Sequence, residues 1–444
     1  METIRLPALD APVAGEFDVA VAGGGAAGLA AAISAARLGS HVALIELEGL
    51  LGGNAGPGGV STVCGMHWVE PGGKMRRIVG GVAEEIVQSL KNSGSAAGPF
   101  PFKGSSVIPF NPWAFARECD EMAMAEKNLR LFLHARVIGV IAGVGKPAGL
   151  VIHQVGGLRA IKSSVIVDAT GDAEVARSAG AELRRGEHIM YPSMMFSMAN
   201  ADSAEVLWRN PGLFAKLLDE HWDDPEYRLP RREGALIPTM RPREAQVAAT
   251  RITVGGRDDP PADAAEPDQL TLAEIEGRRQ VDEVARFVRE IVPGFKESYV
   301  SHVAPRIGVR ETLTILGEFT LTENDIINAG RFPDAVAANS WPIEDHIAGG
   351  KTEWIECPPG KFYQVPYRCL IPQKVDGLLA AGRCFSATHK ALASARTIAI
   401  CMATGQAAGT AAHIAAREKI APRKVSVKNL QQILTDNGAI IERE

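Results

Sequence analysis

One stretch, between residues 17 and 46, constrains this chain most. Residues 17 to 22 (FDVAVA) read as a short buried strand that runs straight into Gly23-Gly24-Gly25-Ala26-Ala27-Gly28, and an alanine-rich helix follows from 29 to about 38. This is G-x-G-x-x-G in a strand, turn and helix setting. Gly23 permits the tight turn, Gly25 lets backbone approach a pyrophosphate, Gly28 lets helix and strand pack closely, and free amides at the helix start face the anion. Gly39 ends the helix, and a second strand from 41 to 45 delivers Glu46, an acid placed to accept hydrogen bonds from both hydroxyls of a ribose. An acid there argues against a 2′-phosphate, so NADP is disfavoured and NAD and FAD remain.

The chain has 444 residues, 46% hydrophobic and 22% charged, enough apolar material for one large core or two fused ones. Its formal charge of −5 is spread without blocks of one sign, which argues against a nucleic-acid partner. The opening METIRLPALDAPVAGEF lacks a basic stretch followed by an apolar run, and no segment of about 18 consecutive uncharged apolar residues is read. A cytosolic protein without a membrane span is therefore expected, with association into homo-oligomers left open. The six cysteines (Cys64, Cys119, Cys357, Cys369, Cys384, Cys401) form no C-x-x-C pair and read as small buried hydrophobes. This excludes a redox dithiol beside a flavin and a cysteine-ligated iron–sulfur cluster. No metal site is expected.

Three further segments favour FAD over NAD. A glycine-dense loop, Leu51-Gly52-Gly53-Asn54-Ala55-Gly56-Pro57-Gly58-Gly59, follows Glu46 and suits backbone wrapped around a pyrophosphate and flavin. A strand from 160 to 167 ends in Asp168-Ala169-Thr170-Gly171-Asp172. Another, from 378 to 381, ends in Gly382-Arg383, and a helix rich in small residues then runs from about 396 to 416. Ala403, Gly405, Ala407, Ala408 and Gly409 in that helix would allow close packing.

The N-terminal motif, the Asp-Ala-Thr-Gly-Asp element and AGRCFSATHKALASARTIAICMATGQAAGTAA resemble the FAD-dependent oxidoreductase family of glutathione-reductase-like fold. The runs GRRQVDEVARFVREIVPGF, IGVRETLTILGEFTLTENDI and WPIEDH extend the resemblance over nearly the whole chain. It implies an α/β fold: a doubly wound, Rossmann-like parallel-sheet FAD-binding domain of glutathione-reductase type, with an inserted α+β substrate or cap domain. It implies that the pyrophosphate lies over Gly23, Gly25, Ala27 and Gly28, with the adenosine ribose on Glu46 and adenine on the backbone of Val137. Gly52, Gly53 and Asn54 would approach the isoalloxazine. Thr170, Gly171, Asp172, Gly382 and Arg383 would lie near the pyrophosphate and ribityl chain. The helix starting near Arg396 would aim its amides and positive dipole end at flavin N1 and the C2 carbonyl, where the reduced ring is negative.

The expected FAD-binding domain is discontinuous, at 15–80, 125–200 and 365–420. A helical insertion occupies 81–124, a substrate or cap domain 201–364, and a C-terminal tail 421–444. Residues 255 to 268 read as a polar, proline-rich surface loop, and 272 to 292 as a long amphipathic helix. VIGVIAGVGKPAG reads as a hairpin. No second strand-coupled G-x-G-x-x-G supplies an NAD(P)H domain.

In a flavoenzyme the protein orients substrate at N5, supplies an acid or base and tunes the ring. His346, His389 and Arg396 are the catalytic candidates. Arg396 anchors a substrate carboxylate or stabilises reduced flavin, or else makes a structural ion pair. His389 is a base or substrate contact, or braces its loop from a buried position. His346, where the cap returns to the FAD domain, is suited by titration near neutral pH to proton transfer, or is an exposed linker residue. Arg310 and Glu311 are expected to pair with each other and hold cap to core. Tyr367 and Arg368 are weaker candidates. Met190, Met194, Met195 and Met198 read as packing. His67 and Cys64 are the residues through which a flavin could be attached, non-covalent binding being favoured. The leading reading is a dehydrogenase or oxidase that takes a hydride from a small organic substrate at flavin N5, with oxygen or another acceptor reoxidising it. The alternatives are a monooxygenase drawing on external NAD(P)H and an electron-transfer subunit.

Overall fold

The structure, a computed structural model, describes residue 4 and residues 10–441. Its central sheet has seven strands: β1 (Val13–Ala22), β2 (Val42–Ile45), β3 (Leu129–Phe132), β4 (Arg136–Ala142), β5 (Pro147–Gln154), β6 (Gly157–Asp168) and β7 (Leu378–Ala380). Five of them run parallel in the order β3-β2-β1-β6-β7. The first half of β6 pairs antiparallel with β5, which continues into β4. The glycine-turned hairpin read from VIGVIAGVGKPAG is therefore present. Parallel strands need both faces covered, and the VAVA and VALI runs of β1 and β2 are buried throughout accordingly.

The helices that matter for the site are α1 (Ala26–Arg37), α2 (Val82–Asn92), α3 (Pro112–Ala125), α4 (Pro267–Ile291), α5 (His389–Ala395) and α6 (Ile398–Glu418). α1 starts inside the glycine motif rather than after it, because Gly25 is extended and acts as its N-cap. α4 starts earlier than its apolar periodicity predicts, with Pro267 in its first turn, where the missing amide costs nothing. The single helix expected from about 396 is in fact two. Arg396 ends α5, and the extended Thr397 (φ −67°, ψ 158°) is the N-cap of α6.

α6 is the one helix among the described residues long and apolar enough to cross a membrane, and nearly all of it is buried inside the molecule. It lies directly on α1: a Cβ at Gly405 would overlap the carbonyl oxygen of Ala27, and one at Gly409 that of Ala31. A second core forms around the antiparallel sheet of Phe196–Ala199, Ala235–Pro238, Glu244–Ala248 and Tyr299–Val303, with α4 packed on it. Met194 and Met198 are fully buried there, as packing residues. The segment read as a C-terminal tail carries a helix, Val427–Asp436, which buries Leu430 and Leu434 and anchors Gln431 to the carbonyls of Pro333 and Ala335. Its 3.6-residue apolar spacing is the reason.

Gly409→Ala should destabilise the protein by about 1–3 kcal/mol, since the added methyl meets backbone that cannot rotate away. Thermal denaturation checks this; an unchanged midpoint would mean that α1 and α6 have slack between them.

Candidate functional site

The parallel strands end side by side, and the loops after β1, β2, β6 and β7 converge there. Gly23 (φ +96°) turns under Ala169, and a Cβ at Gly28 would overlap the Gly23 carbonyl. Gly25 differs: the nearest atom to a Cβ placed there is Gly53 Cα at 3.7 Å, so one face of this turn is left open. The amides of α1's first turn have no side-chain cap. An open backbone face beside uncapped helix amides is a cradle for an anion. Ala27 stands on the same turn, with Gly382 (φ +75°) packed on its methyl.

Glu46 is buried, and its carboxylate is already engaged: Oε2 accepts from the Gly24 amide at 2.6 Å and Oε1 from the Glu48 amide at 2.8 Å. Burial pushes its pKa up against those two bonds. Each carboxylate oxygen keeps a further lone pair for a ribose hydroxyl. Arg306, unnoticed in the sequence, lies beside it. It donates to Asn54 Oδ1 at 3.1 Å and stands 3.4 Å from Glu48. Of the loop expected at the ring, Asn54 lines the main cavity, whereas Gly52 and Gly53 pack against Gly24 and Gly25. Val137 sits in β4 opposite Ile152; Ala135, two residues earlier, donates to the Glu46 carbonyl at 2.9 Å and brings this segment to the acid.

At the end of β6 the buried Asp168 accepts from the amide and hydroxyl of Thr170 and from the Ala176 amide, fixing the turn. Gly171 (φ +83°) passes over the Arg383 guanidinium, which bonds Asp172 at 3.2 Å. Asp172 also accepts from Thr312 at 2.7 Å. Nη1 of Arg383 and Oγ1 of Thr397 are buried without partners among the described residues. Buried donors without acceptors are costly unless a ligand meets them, and both residues line a cavity of about 1250 Å³. These residues fit FAD: the cradle would take the pyrophosphate, Arg383 and Asp172 would lie along the chain, and the start of α6, which has no side-chain cap, would face the ring.

The catalytic candidates fare differently. Arg396 lines the cavity, donates from Nε to Met190 Sδ at 3.2 Å and from Nη2 to the Glu344 carbonyl at 3.3 Å, and stands 3.7 Å from the Glu344 carboxylate. His389 is no free base. Its Nδ1 meets Glu311 at 2.7 Å and its Nε2 meets both oxygens of Asp345 at 3.2 Å. Burial pulls its pKa down, but the two carboxylates outweigh this and raise it to about 10. It is a fixed cation joining α5 to the strand Ile343–His346.

His346 is neither exposed nor poised to titrate near neutrality. Burial, Arg310 and Arg231 hold its pKa far below the usual range, although Glu344 opposes them. Its Nδ1 accepts from Arg231 at 3.4 Å, which assigns the proton to Nε2, facing Glu344 at 3.4 Å. The expected Arg310–Glu311 pair does not form, because Glu311 is taken by His389 and the Met190 amide. Arg310 instead bonds the Tyr191 carbonyl and, at 2.7 Å, the Ser193 hydroxyl. Tyr367 and Arg368 are scaffold, bound to the Pro422 carbonyl and to Asp334. Cys64 lines the cavity, but burial pushes its thiol up to about 12; His67 bonds Ser106, and burial lowers its pKa to about 4.

The His389 clamp has a pH signature. Its pKa rises on folding from 6.5 to about 10, so its stabilisation is complete below 6.5 and is lost as pH rises towards 10. The stability difference between the native chain and His389→Gln, from urea denaturation, should shrink over that interval; a constant difference would deny the imidazolium.

A family model described as FAD dependent oxidoreductase matches residues 18–434. No curated protein matches the sequence. Similar solved structures include a geranylgeranyl bacteriochlorophyll reductase-like protein from Thermoplasma acidophilum, with 14% identity, 96% of this chain and 84% of that one covered, and a TM-score of 0.46. The p-nitrophenol 4-monooxygenase PnpA of Pseudomonas putida DLL-E4 is 11% identical over 95% and 85% of the two chains, at a TM-score of 0.46. E. coli quinol fumarate reductase FrdA is 14% identical over 95% and 74%, also at 0.46. With a cradle that fits the cofactor and a family match over nearly its whole length, the chain belongs to the FAD-dependent oxidoreductase family.

Proposed function

We propose that this enzyme is a cytosolic dehydrogenase or oxidase that binds FAD non-covalently and oxidises a small organic substrate by hydride transfer to flavin N5. One observation carries the reading: a single cavity of about 1250 Å³ joins Arg383, Thr397 and Ile398 of the cofactor region to Trp341, Glu344, Trp354 and Arg231, so a substrate has room beside a ring. The chamber also speaks against a subunit that only relays electrons. When bound, the flavin supplies the two-electron sink: a substrate C–H gives the hydride, an adjacent O–H or N–H gives a proton, and oxygen or another acceptor removes the two electrons.

The chain's own residues do the rest. Thr397 and the first amides of α6 present a positive helix end to the cavity, which would favour the negative charge that a reduced flavin ring carries if the ring lies there. Arg396 keeps a fixed direction through Met190 and Glu344. Burial raises the pKa of Glu344, but His346, Arg396 and Arg310 prevail and hold it well below the usual carboxylate range. Glu344 is thus a permanent anion that orients arginines, and does not carry a proton. Non-covalent binding is supported by Cys64, whose thiol stays protonated, and by His67, which is absent from the cavity lining. All six cysteines are free, as suits a reducing compartment.

The purified protein should be yellow, and acid precipitation should leave the colour in solution; a colourless protein overturns the flavin assignment, and a yellow pellet the non-covalent one. Anaerobic donors that bleach the flavin identify the substrate, whereas bleaching by NADPH alone would favour a monooxygenase. Glu46→Ala should lower FAD content and, by leaving the buried Gly24 amide unpaired, cost about 1–3 kcal/mol of stability. Full FAD content in that variant would reduce Glu46 to a backbone brace.

A further inference from the structure

Eight basic side chains line the main cavity against three carboxylates, although the whole chain carries a charge of −5. Near the rim the charges are matched. Arg243 pairs with Asp202 at 2.7 Å, Arg241 with Glu244 at 3.8 Å and Lys103 with Glu356 at 3.7 Å. Arg383 is held by Asp172. Deeper in, the balance fails. Arg231, Arg310 and Arg396 line this part together; burial and then Arg396 lower the pKa of Arg231, and burial, Arg396 and Arg231 that of Arg310, while Glu344 is the one carboxylate among the described residues within 4 Å of any of the three. Glu233, farther off, also acts on Arg231. Three positive charges against two negative ones leave at least one uncompensated in a poorly solvated place.

Neutral groups hold these arginines where they are. Arg310 is tied to the Tyr191 carbonyl and Ser193, and Arg231 to His346 and Thr352 at 3.4 and 3.3 Å. Such bonds fix direction without neutralising charge. An arrangement of this kind costs stability in the free protein and is repaid by an anion that takes paired N–H donors, for which the planar guanidinium is suited. The adjoining wall is aromatic. The Trp341 indole N–H donates to Glu344 at 3.0 Å, its ring stacks on Phe102 at 5.4 Å, and Trp354 closes edge-on at 6.2 Å. All three rings line the same cavity.

We infer that the substrate is an organic carboxylate with an apolar body of aromatic size, its carboxylate received by Arg231, Arg310 and Arg396 and its body lying along Phe102, Trp341 and Trp354. This rests on the flavoenzyme reading above and names the substrate class for that site. Arg231 and Arg310 are thereby substrate-binding residues, and Glu344 a positioning residue that spreads the arginines.

Titration calorimetry on the yellow holoprotein with benzoate, phenylacetate and 3-phenylpropanoate, each against its uncharged amide, tests the inference. At least one acid should bind about tenfold or more tighter than its amide, and Arg310→Met and Arg231→Met should each erase that preference while the amide's affinity stays put. Arg310→Lys should restore part of it. Equal binding of acid and amide across the panel overturns the proposal, as does an acid preference that survives both methionine variants. If the variants instead shift the flavin's midpoint potential and no acid binds, the arginines serve the reduced ring and the proposal falls. Loss of colour marks failure of the flavin reading separately, and an acid preference in colourless protein would still uphold the anion site.

Discussion

Everything at the site hangs on how closely α1 and α6 approach. Gly405 lies on the Ala27 carbonyl and Gly409 on the Ala31 carbonyl, so the helices run in the same direction, in step every four residues. This register has a measurable consequence. Gly405 is seven residues into α6 and Ala27 one residue into α1, so α6 starts six residues, or about 9 Å, beyond the start of α1. Two positive helix ends are thus staggered along one line. The nearer faces the open glycine turn and the farther opens into the large cavity at Thr397 and Ile398. A dinucleotide with its charged middle at the nearer end and its redox-active end at the farther one would use that offset, which the close approach at Gly405 and Gly409 fixes.

The cofactor half was legible in the sequence because its signals are local. Gly23, Gly25 and Gly28 meet their constraints within one turn, Glu46 follows from strand length, and the small residues of α6 announce close packing wherever their partner proves to lie. The break before α6 was also present in the sequence as Thr397, a good N-cap residue, but the uninterrupted alanine pattern concealed it. The substrate half was much less legible. Arg310 and Glu311 are adjacent, and adjacency suggested a pair. Each found a distant partner instead: Glu311 took His389, 78 residues on, and Arg310 took Ser193, 117 residues back. Arg231 and Arg306 carried no local pattern at all.

Burial and neighbouring charge together decide which histidines can do chemistry. His346 is buried and His389 half-buried, and the first is held far below its ordinary value while the second is driven up to about 10. Desolvation disfavours the charged form in both. The difference is the company: two carboxylates grip both nitrogens of His389, whereas His346 faces Arg231 and Arg310 with Glu344 alone to offset them. A histidine beside the cavity is therefore not evidence of a general base here. The positive charge that disqualifies His346 is the same charge that makes the cavity an anion receptor.

The strand Ile343–His346 links these two environments, and its pleat explains how. Successive side chains alternate in direction, so Asp345 turns towards α5 and His389 while Glu344 and His346 turn together towards Arg396 and Arg231. One face is scaffold and the other is chemistry. The first face is locked by an imidazolium between two acids, and that lock holds the second in register, because a slip of one residue would put Asp345 among the arginines and Glu344 against His389. The run Trp341-Pro342-Ile343-Glu344-Asp345-His346 is thus read twice by the fold: its odd acid fastens the strand to the helix before α6, and its even acid sets the spacing of the guanidinium groups beside the aromatic wall. The position of the arginines relative to the start of α6 follows from that fastening, since α5 and α6 are separated only by Arg396 and Thr397.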